Sequence, residues 1–136
     1  MANVEQTIQI DAPAEKVWRL AGDPGRIADW MPALSTSTVV GDRRSCGLAQ
    51  GGQIEERILE HSDDERRYRY EILEGPMPLR TYVSSLSVDG QDGSTQVRWV
   101  ADFEPEDPAQ EDEVAQTFQQ LYAQGLQALK AKVEGS

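Results

Sequence analysis

The sequence predicts an α+β fold in which an antiparallel sheet wraps one long C-terminal helix. Three observations carry the prediction. Segments of alternating apolar and polar residues fill the first hundred positions. The last stretch, 107–133, changes period: Val114, Phe118, Leu121, Tyr122, Gly125, Leu126, Leu129 and Val133 fall on one stripe of a 3.6-residue helix. Strands and long helix are segregated along the chain, which argues for an antiparallel sheet and against a doubly wound parallel one. At about 25 residues the helix would be roughly 38 Å long, so a curved sheet is needed to cover its apolar stripe.

Taken in order, Val4, Ile8 and Ile10 alternate with Glu5, Thr7 and Gln9 as a half-buried strand. Pro13 then opens a short helix whose Val17, Trp18, Leu20 and Ala21 share a side, ending at Gly22-Asp23-Pro24. A second short helix runs from about Gly25 to Trp30 and stops before Pro32. Leu34 to Val40, rich in Ser, Thr and Val, reads as a strand. Cys46 to Gly52 holds three glycines and is expected to be a mobile loop, with Cys46 exposed and oxidisable. Gln53 to His61 resumes strand character, and Ser62-Asp63-Asp64 turns it. Arg66 to Glu74 alternates with Tyr68, Tyr70 and Ile72 on one face, and Gly75-Pro76-Met77-Pro78 breaks the ladder. Tyr82 to Val88 and Thr95 to Phe103 form the last two strands, joined by a turn at 89–93. The order is strand, two short helices, a run of strands, long helix. Asp107 is placed to cap that helix, with Pro108 at its first position and Gln110 as the capping-box partner.

Composition bounds the function. The length suits a single domain over residues 1–136 with a real core. No apolar run approaches a membrane span and the polar start is no signal peptide, so a cytoplasmic protein is expected. One cysteine and one histidine exclude the Cys- and His-rich zinc motifs; no metal site and no cofactor are expected. His61, near a turn, reads as a surface residue. The net charge of −11, from 13 Lys and Arg against 24 Asp and Glu, disfavours nucleic acid and anionic membranes as partners. Nothing in the sequence supports a particular protein partner.

The opening Ala12-Pro13-Ala14-Glu15-Lys16-Val17-Trp18, then Asp23, then Trp30-Met31-Pro32, resembles the polyketide cyclase/dehydrase and START-related proteins. That is the helix-grip (SRPBCC) superfamily, which includes the birch-pollen allergens. Gly47-Leu48-Ala49, Glu56-Arg57-Ile58-Leu59 and Leu79-Arg80-Thr81-Tyr82 resemble the gate loop, pocket-lining strand and latch of plant abscisic-acid receptors. The resemblance implies a seven-stranded sheet gripping the terminal helix, two short helices after the first strand, and a cavity between sheet and helix. It also implies a lid of Gly47, Leu48 and Ala49 facing Met77 and Leu79.

Two features of the residues themselves favour a cavity. Gly125 in mid-helix costs about 1 kcal/mol relative to alanine, as expected if its missing side chain makes room for something. Glu56, Ser84 and the tyrosine hydroxyls also sit on the inward face, where a dry core would have to satisfy them internally. The candidate lining is Glu56, Tyr70, Tyr82, Ser84, Trp99, Phe118, Leu121, Tyr122 and Gly125. Glu56 faces inward if Ile54 and Ile58 do. Two alternatives stay open: a bulge near Gly52 turns Glu56 out and Glu55 in, or Glu56 pairs with a buried arginine. The lysine with which abscisic-acid receptors meet their ligand's carboxylate has no counterpart here. With Glu56 inside and −11 outside, the expected ligand is a small hydrophobic molecule, neutral or weakly basic. Binding without turnover is the expected function; the alternative is a polyketide aromatase/cyclase or dehydrase using Glu56 as acid or base, helped by Tyr82 or Tyr70.

Overall fold

The computed structural model describes residues 2–91 and 93–135. Its elements in chain order are β1 (Ala2–Ile10), α1 (Ala14–Ala21), a 3-10 turn (Pro24–Arg26) and α2 (Ile27–Trp30). Then follow β2 (Leu34–Val40), β3 (Arg43–Leu48), β4 (Gln53–Ser62), β5 (Arg67–Glu74), β6 (Leu79–Gln91) and β7 (Ser94–Pro105). A second 3-10 turn (Pro108–Gln110) leads into α3 (Glu111–Glu134). The strands form one seven-stranded antiparallel sheet in the order β1-β7-β6-β5-β4-β3-β2. Chain neighbours are sheet neighbours from β2 to β7, so hairpins build that run. The two short helices carry the chain from β1 at one edge to β2 at the other, and the helix-grip fold results.

The alternation of β5, β6 and β7 turns Tyr68, Tyr70, Tyr82, Leu86, Val97, Trp99 and Phe103 toward α3. The apolar stripe of α3 meets them. Trp99 stacks on Tyr122 with ring centroids 4.0 Å apart and planes 3° from parallel, while Phe118 packs against Tyr82 and Phe103. At the start of α3 the capping differs from expectation. Asp107 accepts from Ala109 N (3.0 Å) and so caps the 3-10 turn, and Gln110 makes no side-chain cap.

Of the loop expected at Cys46–Gly52, the first three residues are strand and the last four form the turn. β3 extends to Leu48, and Cys46 is buried. Gly47 is tolerated within the strand because Thr36 crosses it: a Cβ there would lie 2.5 Å from Thr36 Oγ1, which instead accepts from Gly47 N at 3.1 Å. Only the tip turns, where Gly51 and Gly52 take positive φ angles of 99° and 97°. Cys46 is therefore neither exposed nor poised to oxidise; burial first, then the Glu56 charge, pushes its thiol up to about 12.

Candidate ligand-binding site

Between the sheet and α3 the packing leaves a cavity of about 90 Å³. Its walls come from every layer of the fold. Ile27 and Met31 close one side from α2 and its end, while Cys46, Leu48, Ile54, Glu56, Tyr70, Ile72, Tyr82 and Trp99 line the sheet. Phe118, Leu121 and Tyr122 of α3 complete it. Among the described residues, Glu56 is the one charged group that lines it. The cavity shares Ala33, Leu48, Ile54, Ile72, Phe118 and Leu121 with a more open cleft of about 480 Å³. The cleft lies between the β3–β4 turn (Ala49, Gln50), the β5–β6 connection (Gly75, Pro76, Met77) and α3, and among the described residues no charged side chain lines it.

Glu56 is 6% exposed and points inward, although the β4–β5 ladder is bulged at Glu55/Glu56. Its Oε1 accepts from Arg44 Nε at 2.6 Å and lies 3.6 Å from Cys46 Sγ. Arg44 is fully buried in β3; Nη1 donates to Pro24 O (3.1 Å) and Tyr68 OH (3.2 Å), and the guanidinium lies 4.6 Å from the Tyr70 ring centre. Burial opposes its charge, yet the surrounding Tyr68, Glu56 and Tyr70 hold its pKa above the ordinary arginine value. The carboxylate is thus internally neutralised, one of the two alternatives the sequence left open. Arg44 itself escaped the sequence reading because the glycines hid β3, and with it the inward alternation of Arg44 and Cys46.

The remaining inward polar groups bond to one another. Tyr82 and Tyr122 hydroxyls are hydrogen-bonded, Ser84 Oγ lies 3.1 Å from Tyr122 OH and donates to Val100 O at 2.9 Å. Trp99 Nε1 donates to Ser84 Oγ (3.0 Å) and Tyr70 OH (3.2 Å). Burial raises the pKa of Tyr70 and Tyr82, so both hydroxyls are neutral donors near neutral pH. A wet cavity is not required to satisfy these groups.

Seven of the residues expected to line a site are brought together around the cavity: Glu56, Tyr70, Tyr82, Trp99, Phe118, Leu121 and Tyr122. Ser84 is set behind the tyrosines as their partner and lines neither space. Gly125 makes room for protein: a Cβ there would lie 2.4 Å from Met31 Sδ and 3.2 Å from the Trp99 ring. Among the lid residues, Leu48, Ala49 and Met77 line the cleft. Gly47 lies within β3, and Leu79 is drawn into the β6–β7 ladder opposite Pro105, so neither lines it. Ile27, Met31, Cys46 and Ile72 were not foreseen; Ile72 was legible as the third member of the Tyr68-Tyr70 face. His61 is at the surface, held by Gly22 O (2.7 Å) and stacked on Trp18. Among the described residues no group of His, Cys, Asp and Glu is placed to hold a metal, and no helix is long and apolar enough to cross a membrane.

Residues 1–134 match the family described as polyketide cyclase / dehydrase and lipid transport. Comparison with curated proteins gives no match. Among solved structures, the protein XoxI from Bacillus cereus is similar at 29% identity and a TM-score of 0.93, over 98% of this chain and 96% of that one. A START superfamily protein from Mycobacterium smegmatis shares the fold at 15% identity and a TM-score of 0.84, over 98% and 97% of the two chains. So does the Zhui aromatase/cyclase from a Streptomyces species, at 17% identity and a TM-score of 0.86 over 98% and 93%.

Proposed function

Since the chain belongs to the polyketide cyclase / dehydrase and lipid transport family, we propose that it binds a small, neutral hydrophobic molecule in the cavity and cleft between sheet and α3. The observation that carries this reading is an apolar cavity, opening into an uncharged cleft, whose single carboxylate is already neutralised by Arg44. The two spaces together suit the roughly 300–1,000 Å³ typical of small-molecule sites. Burying about 300 Å² of ligand apolar surface contributes on the order of 7 kcal/mol before ordering costs, enough for micromolar binding or weaker.

The Arg44 pairing removes the electrostatic reason for a basic ligand. Glu56 Oε1 is occupied by Arg44 and Cys46, which leaves Oε2 as the acceptor for a hydroxyl or amide N–H of the bound molecule. Leu48, Ala49 and Met77, at the rim of the cleft, act as the lid. Carriage, sequestration and sensing all follow from such a site. Turnover asks for more: an acid or base free to exchange protons at a near-attack distance. Here the carboxylate is tied to a buried guanidinium and the tyrosines hold their protons.

Titration with naphthol, naphthylmethylammonium and naphthoate, which share a ring and differ in charge, tests the reading. Naphthol is expected to bind best, with amide exchange slowing at 48–50 and 75–77. Tighter binding of either ion, or equal exchange in free and bound protein, would overturn it. Conversion of a poly-β-keto substrate to cyclised products by the purified protein would replace it with the aromatase/cyclase reading.

A further inference from the structure

The two edges of the sheet are finished differently. β1 is closed by α3: Lys130 Nζ donates to Gln9 O (2.8 Å), Gln6 Nε2 donates to Gln119 Oε1 (2.7 Å), and the strand carries Glu5. β2, at the other edge, reads Leu-Ser-Thr-Ser-Thr-Val-Val and holds neither charge nor proline, the usual devices that stop an edge from pairing. In a chain with 13 basic and 24 acidic residues, an open edge free of charge is a pattern that asks for a cause. We propose that β2 pairs antiparallel with β2 of a second copy of this chain, so that the two sheets continue as one.

The unused backbone groups can be placed. The β2–β3 hairpin closes on the two-residue turn Gly41-Asp42, with Val40 opposite Arg43, Thr38 opposite Ser45 and Thr36 opposite Gly47. These rungs bond toward β3, so by the alternation of an antiparallel ladder the N–H and C=O of Ser37 and Val39 point away from it. Among the described residues no backbone group outside the ladder bonds them. The side chains of the same two residues turn to the inner face: Ser37 Oγ donates to Gly25 O (2.7 Å) and accepts from Ala28 N (3.1 Å), and Val39 packs beside Gly25. The helical connection thus grips β2 by its inner face and leaves the edge open.

The occupant follows from the order of residues. Pairing with β3 is regular from Thr36 to Val40, between a bulge at Leu34/Thr36 and the turn, and the centre of that run is Thr38. About a two-fold axis at Thr38, Ser37 of each copy exchanges both backbone hydrogen bonds with Val39 of the other. On the outer face Thr38 meets Thr38, and Thr36 meets Val40, which is 75% exposed in the single chain. Every rung joins small or β-branched uncharged side chains, and Ser45 and Gly47, beside them on β3, are uncharged too. An acidic molecule therefore meets itself here without setting charge against charge, whereas an unrelated strand would match this register only by chance.

The proposal does not depend on what the cavity holds. Sedimentation velocity on the full chain tests it: a contact of one short strand is of the weak class, so reversible dimerisation is expected between roughly 10 μM and 1 mM. Added salt should strengthen it, because screening relieves the repulsion between two molecules of net charge −11 while the seam itself carries none. Amide exchange should slow at Ser37 and Val39 on concentration, while Thr38 and Val40, already bonded to β3, stay equally protected. Thr38→Lys sets two lysines face to face on the axis, and Val39→Pro removes an N–H that the β3 ladder does not use; each should weaken the dimer about tenfold or more. Thr7→Lys, the same charge at an exposed position of β1, should leave it unchanged. A monomer throughout, growth past the dimer, or a dimer with Ser37 and Val39 unprotected would overturn the proposal. So would a Thr38→Lys dimer as tight as the wild type, or equal weakening by Thr7→Lys.

Discussion

Trp99 is the side chain through which sheet and helix are joined. It is 2% exposed, stacks flat on Tyr122, meets Trp30 edge-on and donates its indole N–H to Ser84 and Tyr70. Its ring also bears on the backbone at Gly125, so the helix approaches the sheet only because that position has no side chain. Trp99→Ala should therefore cost about 3–5 kcal/mol, as a large core deletion that also strands polar partners. Urea unfolding checks this, and a loss below about 1 kcal/mol would count against Trp99 as the joint. The aromatic identity of Trp99 was legible in the period-two pattern of its strand. Its hydrogen bonds were not, because Tyr70, Ser84 and Trp99 lie on three different strands whose register only pairing sets.

At the scale of elements, β3 decides the chemistry of the cavity. It contributes Arg44, whose 2.6 Å contact with Glu56 of β4 is buried on both sides. Removing one partner leaves an uncompensated buried charge, whereas replacing both with apolar groups of similar volume is close to neutral. Arg44→Met is expected to lose about 3–5 kcal/mol, and the double variant Arg44→Met/Glu56→Leu to regain most of that loss. Unfolding curves of the two single variants and the double give the coupling directly. Additive losses would show that the pair is not a unit. The sequence hid this strand behind glycine content: Gly51 and Gly52 do make a turn, but Gly47 serves a side-chain crossing from Thr36 within paired backbone. Glycine count alone cannot separate the two uses.

The whole molecule carries acidic groups outside and proton-holding groups inside, and the two titrate at opposite ends of the pH scale. Outside, Arg98 lowers the pKa of Glu5, and Lys130 with Asp11 N lowers that of Glu134. These exposed pairs contribute above the ordinary carboxylate value of 4.5, and the contribution fades as pH falls through their lower folded values. Inside, burial pushes Cys46 from 9.0 and Tyr68 from 10.0 up to about 12. Between those limits the unfolded chain has released protons that the folded chain keeps, so stability falls as pH rises. Chemical denaturation at successive pH values should show this alkaline loss beginning near 9. Cys46→Ser, which removes the thiol titration, should flatten its first part, and an unchanged slope would show that the thiol is not held as its burial requires.

The sequence by itself determined the class of fold, the long helix with its buried stripe, the aromatic faces of β5, β6 and β7, and the inward direction of most cavity residues. All of these follow from local periodicity, which a chain carries without reference to distant partners. Tertiary structure alone decided what those residues do to one another. Gly125 receives Met31 and the Trp99 ring, Ser84 stands behind a ring of tyrosines, and Glu56 is answered by Arg44 twelve positions earlier. Charge compensation and close approach are set by distances through space, and spacing along the chain does not contain them.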